Sequence, residues 1–175
     1  KAVVGQNTLQ KVDQDTGKEQ NGKAELRGAK YQLFYNDDAS GSSPHKKGDP
    51  VKWTDKPSPK LTSGQQVTSA LIGGKTVEFG ESVVIQVDDG TLQVGVSNLA
   101  LGKYYWSEVD AGEGYVVDTT KHTFELSYKD EKTETVTAEE KTSKERAIDA
   151  AIKINKMVTL PDGQGGSGYN GLEFT

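Results

Sequence analysis

The chain has 175 residues, of which 26 are acidic, 21 are basic and none is cysteine. This length is enough for one sizeable core, whereas the lack of cysteine excludes a disulfide scaffold and thiolate zinc sites. No apolar run is long enough to cross a bilayer, so we expect no membrane insertion in this segment. The net charge of −5 and the lack of a basic stripe argue against nucleic acid as a partner.

Six segments alternate between apolar and polar residues with a period of two, and turn-rich segments separate them. They are Ala24–Tyr35, Glu81–Val87, Leu92–Leu99, Tyr104–Val109, Thr123–Lys129 and Thr133–Thr137. Because successive side chains of a strand point to opposite faces, this pattern is typical of half-buried strands in antiparallel sheets. The sequence therefore predicts an all-β antiparallel sandwich.

A polar segment, Asn36–Pro59, follows the first of these strands and holds four of the five prolines. Its composition offers little apolar surface to offset the entropy of ordering, so we expect a long surface insert with few contacts to the core. Its one tryptophan, Trp53, is either an exposed anchor for a ligand or a side chain that folds back onto the domain.

Two glycine-containing segments predict tight turns. Asp89-Gly90 lies between two predicted strands and favours a hairpin that pairs them. The segment Ser69–Thr76 ends in Gly-Gly-Lys-Thr, as a phosphate-binding loop does, but Ser69 stands in place of the first glycine and no helical pattern follows. A hairpin turn is the better interpretation of this segment.

One carboxylate lies inside an aromatic strand. Within Tyr104–Val109, alternation places Glu108 on the same face as Tyr104 and Trp106. If that face packs in the core, removal from water disfavours the charged form of a carboxyl group, and a protonated Glu108 can donate a hydrogen bond. The position predicts a chemical role for this residue.

Two motifs resemble those of Cna B-type (prealbumin-like) repeat domains, which are stalk repeats of Gram-positive surface adhesins and pilins. Gly102-Lys-Tyr-Tyr-Trp-Ser-Glu108, followed by Ala111-Gly-Glu-Gly-Tyr115, is similar to the E-box of the family, although Gly112 replaces the usual proline. Lys11-Val-Asp-Gln-Asp-Thr-Gly17, followed by Gly28-Ala-Lys-Tyr31, is similar to its first strand and the turn that follows. The resemblance implies an immunoglobulin-like or prealbumin-like sandwich with a long surface insert.

The resemblance also implies a covalent chemistry. In these domains a lysine on the first strand forms an intramolecular isopeptide bond with an Asn or Asp on the last strand, assisted by the E-box carboxylate. By this resemblance Lys11 is the nucleophile and Glu108 is the proton relay. The implied acceptor is Asn155, or alternatively Asp149. Such a bond needs a neutral amine and a polarised carbonyl, which burial and a neighbouring carboxyl group supply.

The pattern changes from residue 143 onward. Ile154-Asn-Lys-Met157 and Gly171-Leu-Glu-Phe174 repeat the order of Leu9-Gln-Lys-Val12 and Gly28-Ala-Lys-Tyr31, with a turn between the two parts in each case. We therefore expect residues 1–142 to form the Cna B-like sandwich domain. Residues 143–175 are expected to form a connector and the start of a second repeat.

These features predict a structural stalk or spacer repeat of an extracellular, cell-wall-anchored adhesin or pilin, with no cofactor and with neighbouring repeats of the same polypeptide as partners. No enzyme activity is expected beyond autocatalytic bond formation. One alternative is an adhesin module that contacts host extracellular matrix or glycan through Trp53 and the insert. Another is an accessory domain of a carbohydrate-active enzyme. His45 and His122 are too few for a zinc site or a catalytic triad, so no metal site is expected.

Overall fold

The computed structural model describes residues 3–13, 28–40, 43–88, 90–112, 114–129, 135–138 and 141–147. These residues form thirteen strands and no helix, so no described helix is long and apolar enough to cross a membrane. The strands are β1 (Val4–Asp13), β2 (Lys30–Tyr35), β3 (Lys60–Ser63), β4 (Gln65–Gln66), β5 (Ser69–Ile72), β6 (Lys75–Glu78), β7 (Val84–Gln86), β8 (Gln93–Ala100), β9 (Gly102–Asp110), β10 (Tyr115–Val116), β11 (His122–Leu126), β12 (Thr135–Thr137) and β13 (Lys141–Ala147).

Two sheets form the body of the fold. The first has the strand order β10-β13-β1-β8-β3, with β12 also paired to β1, and the second has the order β11-β9-β2-β7-β4. The described pairs are antiparallel except that β1 runs parallel to both β12 and β13. Leu9 and Val96 from the first sheet share one core with Tyr31, Leu33 and Trp106 from the second. The predicted all-β antiparallel sandwich is confirmed.

Strand β9 follows the alternation that its sequence predicts. Tyr104, Trp106 and Glu108 point inward and are 2%, 0% and 5% exposed. The strand lies between β11 and β2, so both of its edges are paired. Glu108 is therefore a buried carboxyl residue on an interior strand.

The predicted hairpin pairing of β7 with β8 is wrong. A turn is present, since the amide of Leu92 donates to the carbonyl of Asp88 at 2.8 Å. Beyond the turn, however, β7 pairs with β2 and β4, whereas β8 pairs with β1 and β3. Val84 and Ile85 are both fully buried, and a strand that is covered on both faces fits inside a sandwich rather than in a two-stranded ribbon. The turn passes the chain from one sheet to the other.

The hairpin predicted at Ser69–Thr76 is confirmed. β5 and β6 pair from Ser69 with Glu78 to Ile72 with Lys75. Gly73 and Gly74 connect them with φ values of 58° and 79°. A two-residue hairpin turn of type I′ requires positive φ at both positions, which glycine adopts without strain.

The insert Asn36–Pro59 is anchored in the core, so the prediction of few core contacts is wrong. Val51 is buried; its amide donates to the carbonyl of Leu33 at 3.0 Å, and its carbonyl accepts the amide of Val83 at 2.8 Å. Trp53 packs against the same core. Composition does not reveal this anchoring, because one or two apolar side chains and the backbone hydrogen bonds beside them are sufficient for it.

A single glycine carries the chain between the two sheets at their edge. β3 pairs with β8 in the first sheet, β4 pairs with β7 in the second, and only Gly64 separates β3 from β4. Gly64 has φ of +94°, and a Cβ atom there would lie 2.4 Å from Cγ2 of Ile85 and 2.6 Å from the carbonyl oxygen of Gln86. A side chain at this corner would collide with the second sheet.

The boundary predicted between residues 142 and 143 falls inside β13. This strand pairs with Leu9–Asp13 of β1 and with Tyr115–Val116 of β10. Residues 143–147 thus continue the sandwich. The rest of the predicted connector and second repeat, residues 148–175, lies outside the described residues.

Candidate functional site

Lys11 and Glu108 meet between the two sheets. Lys11 lies on β1 of the first sheet, Glu108 lies on β9 of the second, and both side chains are buried. The distance from Lys11 Nζ to Glu108 Oε2 is 2.6 Å. The two residues that the sequence singled out therefore form a buried ion pair that joins the sheets.

Glu108 accepts hydrogen bonds on both of its carboxyl oxygens. Oε2 faces the amine of Lys11, and Oε1 accepts the backbone amide of Asp118 at 2.6 Å. Because a backbone amide only donates, Oε1 is an acceptor here, and Oε2 is the oxygen that shares a hydrogen bond with the amine. The two donors offset the loss of water around the charge.

A closed ring of hydrogen bonds contains this ion pair. The Lys11 amine donates to the hydroxyl of Tyr31, which donates to Ser143 Oγ at 2.5 Å. Ser143 Oγ donates to Asp118 Oδ2 at 3.3 Å, and the bond from the Asp118 amide to Glu108 closes the ring. We call this group the Lys11 ring; its members are Lys11, Tyr31, Glu108, Asp118 and Ser143. It connects β1, β2, β9 and β13 with the segment between β10 and β11.

Asp118 receives two further hydrogen bonds, from residues outside the ring. Its Oδ2 lies 2.8 Å from His122 Nε2, and its Oδ1 accepts the amide of Thr120 at 2.9 Å. Burial alone raises the pKa of Asp118, but the hydrogen bonds from Thr120 and His122 outweigh this effect and hold the pKa below its ordinary value. Asp118 is therefore charged at neutral pH.

Ser143 is the residue of β13 that faces Lys11. The two are register partners in the parallel β1–β13 pair, and Ser143 Oγ is 3.5 Å from Lys11 Nζ. Ser143 is fully buried. A hydroxyl group carries no acyl carbon for an amine to attack. The position beside the amine thus holds a hydrogen-bonding side chain, whereas the family resemblance implies an Asn or Asp on the last strand.

The remaining predicted site residues do not join the Lys11 ring in the described part of the chain. Asn155 and Asp149, the two predicted acceptors, lie outside the described residues. Trp53 is partly buried and packs against the core, and its Nε1 has no hydrogen-bond partner among the described residues. Trp53 is thus partly covered by the core, and ligand binding through it stays a prediction.

Tyr31, Asp118 and Ser143 were not predicted as site residues. Tyr31 carries a usable signal, because it ends the Gly28-Ala-Lys-Tyr31 motif. Asp118 lies in an irregular segment, and Ser143 lies in a strand made almost entirely of polar residues. Period-two patterns of apolar residues do not mark either position.

Two further observations concern described residues outside the Lys11 ring. No group of three or more His, Asp or Glu side chains among them is arranged to hold a metal ion. A groove of 450 Å³ lies between the end of β11 and β12 and is lined in part by Leu126, Tyr128 and Val136. None of its lining residues belongs to the Lys11 ring.

Comparison with protein families gives a match over most of the chain. The family described as "SpaA: Prealbumin-like fold domain" matches residues 5–142. No curated protein gives a significant match.

Solved structures that match this chain include three proteins of low sequence identity. They are the Bacillus anthracis TIE protein (18% identity, TM-score 0.43, covering 83% of this chain and 18% of that chain), a streptococcal ancillary pilin (23%, 0.47, 85% and 30%), and BcpA, the major pilin subunit of Bacillus cereus (19%, 0.43, 81% and 28%). This chain spans less than a third of the length of each of them.

Proposed function

Because the chain belongs to the family of SpaA prealbumin-like fold domains, we propose that it is a structural module, a stalk or spacer domain of a Gram-positive pilin or adhesin. In this proposal the domain stands outside the cell, next to neighbouring repeats of the same polypeptide, and the longer protein is anchored in the cell wall. Its role is mechanical support and not catalysis on a substrate.

The observation that supports this role is the Lys11 ring. It joins β1 to β13 and the first sheet to the second, and Lys11 and Ser143 are 132 positions apart in the chain. Buried charges destabilise a fold unless they are paired and hydrogen-bonded. In the Lys11 ring the charges are paired, and the ring acts on elements that are far apart in sequence. These properties suit a group of residues that holds distant parts of the fold together.

A double-mutant cycle tests the structural role. We expect Lys11→Met and Glu108→Gln each to lower the free energy of unfolding by about 3–5 kcal/mol, because each removes one member of a buried ion pair and leaves the other member in place. The double variant should lose less than the sum of the two, since the ion pair is then removed as a unit. Denaturant unfolding followed by tryptophan fluorescence measures these values.

Lys103→Met and Glu125→Gln form the matched control. These residues face each other on β9 and β11 with exposed side chains, and their substitution should change stability by less than about 0.5 kcal/mol. If Lys11→Met and Glu108→Gln were no more destabilising than this pair, the Lys11 ring would have no structural role and the proposal would lose its support.

An isopeptide bond from Lys11 to Asn155 or Asp149 stays a prediction. Its formation releases ammonia from Asn155 or water from Asp149, so the intact mass of the chain is the direct measurement. A measured mass that is lower than the calculated mass by one ammonia or one water would identify the bond and its acceptor. A measured mass equal to the mass calculated from the sequence would show that Lys11 remains an amine. If the bond forms in the wild type, the Glu108→Ala variant should have the full mass calculated from its own sequence, because the proton relay is then missing.

A further inference from the structure

β1 runs side by side with β12 and β13, and all three point in the same direction. β12 pairs with Val4–Gln6 and β13 pairs with Leu9–Asp13, both in parallel. In the register of the second pair, Glu145 lies opposite Asp13, so β13 ends at Ala147, beyond the end of β1. The chain thus enters the first sheet at one end of β1 and its last described strand leaves at the other end.

This arrangement determines how a pulling force acts on the domain. A force applied to the two ends of the chain draws β1 and β13 past each other along their common axis, so the hydrogen bonds between them are loaded together. When a strand is instead peeled from one end, its hydrogen bonds break one after another, and a smaller force is sufficient. The described topology therefore resists extension by its ends.

We propose that β1 and β13 form a shear clamp that is pinned by the Lys11 ring and has no covalent bond between the strands. Lys11 is the middle residue of the five paired positions of β1 with β13. Because its amine is bonded to Glu108 on the opposite sheet, β1 slides only if the ladder and the ion pair break together. Ser143, opposite Lys11, supplies a hydroxyl group and no acyl group. The use of the clamp in a stalk rests on the proposed function, but its response to force does not.

Single-molecule force spectroscopy on the 175-residue chain tests the clamp in two pulling directions. The chain has no cysteine, so Lys103→Cys introduces a single attachment point at an exposed residue near the end of β8. That end lies beside the start of β1, where Ala100 pairs with Val4. Pulling this variant by its two ends loads β1 against β13 in shear, whereas pulling it by its N-terminus and residue 103 peels β1 from its first residue. We expect the rupture force to be severalfold higher in shear.

The length of chain released on rupture reports the covalent state. A non-covalent clamp should release roughly 450 Å, because almost all residues up to 147 become extended. A release of only a few tens of ångströms, as expected if Lys11 were joined to Asn155 or Asp149, would overturn the non-covalent clamp. Equal rupture forces in the two directions would overturn the shear geometry.

The contribution of the Lys11 ring is tested by Lys11→Met, with Lys60→Met on the exposed face of β3 as its control. Lys11→Met should lower the shear rupture force and Lys60→Met should leave it unchanged; equal forces in the two variants would overturn the pinning role. A high shear force combined with unchanged unfolding free energies in the double-mutant cycle would instead contradict the proposed structural role of the ring and leave the shear geometry intact.

Discussion

The side chain at position 143 sets the chemistry that is open to Lys11. The Lys11 amine has a carboxylate at 2.6 Å and the hydroxyl of Ser143 at 3.5 Å. The carboxylate is suited to accept and return a proton, and the hydroxyl is suited only to hydrogen bonding in this place. One substitution at position 143 would place an acyl group beside the amine.

We expect Ser143→Asn to introduce the carboxamide that the family's chemistry requires. The Lys11 amine then attacks the carboxamide carbon, Glu108 transfers the proton, and ammonia leaves. Intact mass spectrometry should show the loss of one ammonia from Ser143→Asn but not from Ser143→Ala, which removes the hydroxyl without adding an acyl group. Addition of Glu108→Ala to Ser143→Asn should prevent the loss. The full mass in the Ser143→Asn variant would contradict this placement of the side chain beside Lys11.

Asp118 makes the stability of the domain sensitive to acid. Its pKa is lower in the folded chain than in the unfolded chain, so the unfolded state binds a proton more readily. The stabilisation is present above the unfolded pKa, about 4, and is lost as the pH falls through the folded pKa. Unfolding titrations at a series of pH values should therefore show a steeper loss of stability below about pH 4 in the wild type than in Asp118→Asn. Parallel curves for the two proteins would contradict this role of Asp118.

At the scale of elements, the corner between β3 and β4 depends on the absence of a side chain. We expect Gly64→Ala to lower the free energy of unfolding by about 2–4 kcal/mol, because it adds a clash with the second sheet to the strain of positive φ. Gly48→Ala is the matched control: Gly48 has the same φ of 94°, but no atom lies within 4 Å of its Cβ position. Thermal or denaturant unfolding should show a clearly larger loss for Gly64→Ala, and equal losses would mean that backbone strain alone matters at the corner.

Strand β9 and the turn after β7 show which features of the elements the sequence determines. The face of Tyr104, Trp106 and Glu108 follows from alternation alone, because the pleat fixes it. The turn near Asp89-Gly90 follows from local residue preferences, but these preferences do not specify which strands pair beyond it. The pairing partners of β7 and β8 are determined by how the strands pack in the two sheets.

Sequence patterns likewise predicted some residues of the candidate site and missed others. Lys11 and Glu108 were predicted because motifs place them on the first strand and on an aromatic strand. Ser143 was not, because its segment is polar in sequence and no period-two apolar pattern marks it, although it pairs through its backbone with β1 and β10. Asp118 contacts Glu108 through its backbone amide. Because almost any residue type can make this contact, the sequence does not reveal it.

For the whole molecule, composition and alternation were sufficient for the fold class but not for the way the parts are joined. The connections between the two sheets include the turn between β7 and β8, the corner at Gly64, and the Lys11 ring. The first two are connections of the chain itself, whereas the ring is a contact between residues that are distant in sequence. The ring is therefore a connection that single side-chain substitutions can remove without altering the course of the chain.

The parallel pairing of β1 with β13 also governs when the fold is completed. A chain is synthesised from its N-terminus, so β1 exists long before the residues that cover its edge, and contacts across such a long loop form slowly. Until residues 141–147 have been made, one edge of β1 presents unpaired amide and carbonyl groups that another chain can bind. Only a product that extends through β13 hides this edge, so truncated chains that end earlier should be the ones that aggregate.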